Sequence, residues 1–187
     1  MLITILCLIC VNLGVNSHLT VSFSQNDSQV HSLYYEMNLP QHIYDVSDIT
    51  VPLTANIQHL LLMDRRATEL NIPKRLLFRL VFQESKYDSV IVSPKHAYGY
   101  MQLMPKTYKL YAKKMSYTGK HTPEINIIIG TKMLSDLYHY WLPIIEDENI
   151  AWIYALASYN AGKQTVIIYD GIPPYKKTQD YIAFINQ

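Results

Sequence analysis

At 187 residues, 49% of them apolar, the chain is sized for one domain with a proper hydrophobic core. A formal net charge of +1 gives no sign of a nucleic-acid partner or of a strongly anionic one. Its 16 tyrosines are many for this length; each offers a flat apolar face and a hydroxyl, which suits sugar binding, although half-buried core tyrosine is the commoner use.

The first 17 residues carry no charged side chain, and Leu2 to Val15 form an apolar run broken only by Thr4, Asn12 and Gly14. Such a run is short for a membrane span and fits the apolar region of a secretory signal. Val15 and Ser17 are small enough to flank a cleavage before His18, so residues 1–17 are expected to direct export; an uncleaved N-terminal anchor is the alternative, since no basic stretch precedes the run. Cys7 and Cys10 both fall inside this leader, which leaves the mature chain without disulfide or thiol chemistry. Residues 18–52 mix polar turn-formers with scattered aromatics and read as an irregular arm, ahead of a folded domain over 53–187.

From Leu53 the spacing turns helical, with Leu60, Met63, Ala67 and Leu70 on one face. Asn71, Ile72 and Pro73 interrupt it, and Pro73 is placed to open a second helix. In that helix Leu77, Leu80, Val81 and Glu84 share a face, so a carboxylate sits where the pattern asks for a core residue. Desolvation there favours the neutral acid and raises its pKa, which is how a carboxyl group becomes a proton donor near neutrality. The plainer alternative is a carboxylate near a helix end paired with Arg79 or Lys86.

Thr122 and Pro123 read as an N-cap and first-turn proline, followed by a stripe of Ile127, Gly130, Leu134, Leu137 and Trp141. A glycine inside that stripe costs about 1 kcal/mol relative to alanine, and close passage of another helix is the expected reason for it. Asn149 to Tyr159 forms a further helix stopped near Asn160 and Gly162; a short one runs from Lys163 to Tyr169, and Thr178 to Ile185 closes the chain. With no repeat, no glycine-rich phosphate loop and no alternating strand set, the expected fold is a compact all-α domain that needs no cofactor and no metal.

Glu84 with Ser85, then Ser93, the run AYGYMQLMP from Ala97, Asn126, Gly130, the run ALASYNAG from Ala155, Thr178 and Tyr181 make one ordered series. It resembles the lysozyme-like catalytic domain of the soluble lytic transglycosylases, family 1, which cleave bacterial peptidoglycan. MQLMP at Met101 to Pro105 and SYNAG at Ser158 to Gly162 are its two specific blocks. The resemblance implies a goose-type lysozyme fold with a glycan-binding groove, in which Glu84 is the single catalytic acid and base. Ser93, Gln102, Met104 and Tyr159 match substrate-binding positions: Tyr159 is expected to orient the acid, Gln102 and Met104 to line the groove, and Tyr181 to complete its wall. Gln102 and Tyr159 stand apart from their apolar neighbours because burying their polar groups demands partners, which a ligand groove could supply.

No motif supplies a second carboxylate, whereas ordinary glycosidases use two. In the resembled family the acid protonates the bond between N-acetylmuramic acid and N-acetylglucosamine, the muramyl acetamido carbonyl stabilises the cation, and the same carboxylate then closes a 1,6-anhydro ring without water. A goose-type hydrolase and a non-catalytic peptidoglycan-binding scaffold are the other readings. By architectural analogy the chain is similar to small periplasmic transglycosylases that open the wall for a secretion or conjugation apparatus. Three positions depart from the pattern. His96 replaces a usual glycine and Tyr100 a usual leucine, both expected on the groove rim. Lys177 stands where a glutamate is common, with Asp180 as a possible compensating charge.

Overall fold

The computed structural model describes residues 55–186, so the expected leader and the 18–52 arm lie outside the described residues. Among the described residues seven helices follow in order: α1 Ile57–Glu69, α2 Lys74–Ser85, α3 Pro105–Lys114, α4 Pro123–Ile145, α5 Glu148–Ala161, α6 Lys163–Ile168 and α7 Lys176–Ile185. Among the described residues there is no strand, only two isolated bridges that join Val92 to Tyr98 and Tyr98 to Leu103. The all-α expectation holds.

Local chemistry sets several helix ends. The Asn56 side chain accepts from the backbone N–H groups of Gln58 and His59, at 2.9 and 3.4 Å, and so starts α1 at Ile57. Thr122 caps α4 by accepting from the Ile125 N–H, with Pro123 in the first turn, and Asp147 caps α5 through the Ile150 N–H at 2.9 Å. Sequence reading missed α3. Its signals were present, with Pro105 at the first position and Lys113 and Lys114 in the last turn.

Two cores result. The larger joins α1, α2, α4, α5 and α7 around Met63, Leu77, Leu80, Ile127, Leu134 and Leu156, all fully buried. The smaller lies under α3 and comprises Leu103, Tyr111, Ala112, Ile125 and Ile129. Between them runs the 91–104 loop, whose Met101 side chain is fully buried against α4. This contact corrects the reading of Gly130: its close neighbour is the Met101 side chain, not another helix. A Cβ on Gly130 would stand 2.7 Å from the Met101 Cβ and overlap its sulfur. Gly130→Ala is therefore expected to lose about 1–3 kcal/mol to overpacking, more than the ~1 kcal/mol of helix propensity it gains. Urea denaturation measures the balance, and a net gain in stability would mean that Met101 can move aside.

Tyr100 also departs from expectation. It is a core residue at 2% exposure, not a rim residue, and its hydroxyl lies 2.9 Å from His59 Nδ1, while His59 Nε2 lies 2.8 Å from Glu124 Oε1. This chain of polar groups ties the loop to α1 and to the start of α4, and burial pushes the Tyr100 phenol up to about 12. His96 is exposed and sits at φ 63° in the left-handed region, which explains why glycine suits that position.

Candidate active site

Glu84 is the penultimate residue of α2, after the fully buried Leu77, Leu80 and Val81. The chain reverses immediately beyond it, because Lys86 and Tyr87 adopt left-handed backbone at φ 52° and 64°. Both are anchored: the Lys86 N–H donates to the Phe82 carbonyl, and the Tyr87 hydroxyl donates to the Phe78 carbonyl at 2.9 Å. Ser85 turns away, its buried hydroxyl donating to the Val81 carbonyl at 3.0 Å. Arg79 is not Glu84's partner. Its guanidinium is buried, donates to the Phe184 carbonyl at 2.8 Å and packs over the Phe184 ring at 4.7 Å, fastening α7 to α2.

That fastening delivers Tyr181. Its hydroxyl donates to Glu84 Oε1 at 2.6 Å, across 97 residues of sequence, from a ring only 4% exposed. Thr178, one turn earlier on α7, donates to Asn160 Oδ1 at 3.0 Å and so registers α7 against α5. The phenol that orients the acid is therefore Tyr181, not Tyr159. The Tyr159 hydroxyl instead donates to the Met101 carbonyl at 2.7 Å. Tyr159 still belongs to the site: burial, then the nearby Glu84 charge, pushes its phenol well above the ordinary value.

The 91–104 loop is held from two sides. Asn126, fully buried on α4, accepts from the Met101 N–H and donates to the Tyr98 carbonyl, both at 2.8 Å, while Tyr159 on α5 takes the Met101 carbonyl. Sequence reading placed Asn126 in the motif series but assigned it no role; an amide with both faces used is a loop clamp. Gly99, at φ 75°, lets the backbone pass that amide, since a Cβ there would sit 2.9 Å from it. Ser93 closes the tip of the loop, its Oγ accepting from the Ala97 N–H at 3.0 Å. Gln102 Nε2 donates to the Gly99 and Ile91 carbonyls at 2.9 and 3.2 Å. The partners that burial demands of Gln102 and Tyr159 are thus backbone carbonyls of this loop rather than a ligand. Met104 stands 43% exposed at the start of α3.

Glu84's pKa is raised above 4.5 because burial penalises its charged form, and this outweighs two opposing effects, the hydrogen bond from Tyr181 and the positive charge of Lys177. The ammonium therefore pulls in the direction that favours the anion. Asp180 does not compensate for it: both of its oxygens are 2.8 Å from Lys176 Nζ, on the adjoining stripe of α7. Tyr181 remains a phenol throughout, since burial and the Glu84 charge hold its own pKa well above 10. The result is a desolvated acid with one fixed donor, able to release a proton and then be stabilised as the anion.

The described helices are similar to solved structures of two lytic transglycosylases. An inactive mutant of Slt from Pseudomonas aeruginosa aligns with a TM-score of 0.57 and 22% identity, over 87% of this chain and 29% of that one. The 70 kDa soluble lytic transglycosylase of Escherichia coli aligns with a TM-score of 0.59 and 22% identity, over 88% of this chain and 29% of that one. This chain thus spans less than a third of either, and the likeness establishes the lysozyme-like fold. The model of the transglycosylase SLT domain matches residues 62–182, from α1 into α7 and across every element that holds Glu84 and its loop. The chain belongs to the transglycosylase SLT domain family.

Proposed function

We propose that this domain is a peptidoglycan lytic transglycosylase that cleaves the β-1,4 bond between N-acetylmuramic acid and N-acetylglucosamine and leaves 1,6-anhydromuramyl ends. The observation that carries the reading is the half-buried, Tyr181-bonded Glu84 within a family domain. Protonated Glu84 donates to the glycosidic oxygen as the bond breaks. The acetamido carbonyl of the muramyl sugar takes the place of a second carboxylate. Glu84, now an anion held by the Tyr181 hydroxyl and favoured by Lys177, removes the proton from the C6 hydroxyl as that oxygen closes onto the anomeric carbon. The proton gained in the second step restores the acid.

The 91–104 loop, pinned by Asn126 and Tyr159, supplies a rigid flank on which Met104 and the faces of Ser93 and Gln102 meet the glycan. The apolar leader supports export to the periplasm, where local opening of the wall for an envelope-spanning apparatus is the use we assign to the activity. Mass spectrometry of fragments released from purified sacculi is the test. Muramyl ends lighter by one water are expected, and reducing ends would replace the lyase reading with a goose-type hydrolase.

A further inference from the structure

Charge in this nearly neutral chain is unevenly placed. Residues 89–123 contain six lysines, Lys95, Lys106, Lys109, Lys113, Lys114 and Lys120, and no aspartate or glutamate; all 15 acidic residues and only ten of the 16 basic ones lie outside that stretch. All six lysines are exposed. At least five of the ten cations elsewhere are matched by carboxylates: Arg65 and Arg66 with Glu69, Lys74 with Asp64, Lys132 with Asp136, and Lys176 with Asp180. Among the described residues none of the six lysines makes an ion pair. The bordering carboxylates are engaged as well, since Glu124 is bonded to His59, Asp136 to Lys132, and Asp88 accepts from the Val90 N–H at 3.0 Å.

Geometry gathers much of this charge on one lobe. On α3, Lys106, Lys109 and Lys113 fall at i, i+3 and i+7, with Lys114 beside them, while Tyr111 and Ala112 on the opposite side are buried in the smaller core. The loop bearing Lys120 packs onto α3, because His121 stacks on Tyr108 at 3.9 Å and the Tyr108 hydroxyl donates to the Gly119 carbonyl. The loop bearing Lys95 joins the same stack through Tyr98, whose ring lies 4.7 Å from that of His121. Its continuation is the Met101–Gln102 segment clamped beside the site.

We infer that this lysine face is a second, non-catalytic docking surface that holds the domain on carboxylate-bearing peptide stems of the wall while the site works on the glycan. The inference rests on the peptidoglycan reading above. Two features support that occupant: an unmatched cationic face complements an anionic polymer, and the face is continuous with the loop that flanks Glu84. Single exposed ion pairs are weak and screened by salt, so retention comes from several acting together on a repeating polymer.

The test separates binding from cleavage. Glu84→Gln protein, with and without Lys106→Gln, Lys109→Gln and Lys113→Gln together, is pelleted with purified sacculi at low and near-physiological salt. The lysine changes are expected to weaken retention at least about fivefold at low salt and to flatten its salt dependence. On sacculi whose carboxylates have been capped as ethanolamine amides, the two proteins are expected to bind alike. With Glu84 intact, the triple variant is expected to cleave a short soluble glycan at the parent rate, so a failed docking surface and a failed lyase assignment give different results. Equal retention of both proteins on untreated sacculi overturns the proposal. So does a lysine-dependent interaction seen only with anionic phospholipid vesicles, which would make the face a membrane contact.

Discussion

Glu84→Gln is expected to lower the release of muropeptides from sacculi by about a thousandfold or more while leaving the domain folded. Gln keeps the shape of the side chain, and its carbonyl oxygen can still accept the Tyr181 hydroxyl, now 2.6 Å from Glu84 Oε1. It can neither donate the first proton nor remove the second, so both halves of the reaction fail. Stability should move the other way. Because burial raises the folded-state pKa of Glu84 above 4.5, its favourable contribution is complete below that value and is lost as pH rises through the raised one. At neutral pH the uncharged Gln avoids this loss, so the variant should melt higher than the parent, and the gap should close below about pH 4. Activity assays with paired thermal melts check both parts. Substantial residual cleavage would remove Glu84 from the chemistry, and a lower neutral-pH melt would contradict the cost assigned to its burial.

Glu84 was legible in the sequence because one carboxylate interrupts an apolar helical face, and periodicity is a local property. The helices read in this way, from Leu60 and Met63 through Trp141, rest on that same property and fall within a residue or a few of their observed bounds. The missed α3 carried ordinary start and stop signals, but it straddles the end of one block, with Pro105 closing that block and the lysines outside any motif. What spacing could not supply was which side chains meet across long separations. Tyr159 and Tyr181 lie on different helices, and only the docking of α7 through Arg79 and Thr178 decides which phenol reaches Glu84. Gly130 shows the same limit: a small residue in a stripe announces a close neighbour without saying whether it is a helix or the Met101 side chain. The need of Gln102 and Tyr159 for buried partners was legible too, but not that loop carbonyls would meet it.

These partners divide the site into a part that tunes the acid and a part that supports it, and the pH dependence of activity should tell the two apart. Tyr181→Phe removes the hydrogen bond that opposes the effect of burial on Glu84, so the Glu84 pKa is expected to rise further. The first step needs the protonated acid; activity therefore falls as pH climbs through that pKa, and the alkaline limb of the kcat/KM profile should shift to higher pH in this variant. Its maximal kcat should nevertheless drop about 10- to 100-fold, because a hydrogen bond to a charged group contributes roughly 1.5–3 kcal/mol and the anion formed after proton donation loses it. Lys177→Gln should shift the limb in the same direction by less, with an effect that fades at high salt. Tyr159→Phe leaves the Met101 carbonyl without its 2.7 Å donor, so it should cost about 1–3 kcal/mol of stability while moving the limb little. Should the limb shift with Tyr159→Phe and stay put with Tyr181→Phe, the assignment of the two phenols would be reversed, and Tyr159 would be the residue that sets the acid.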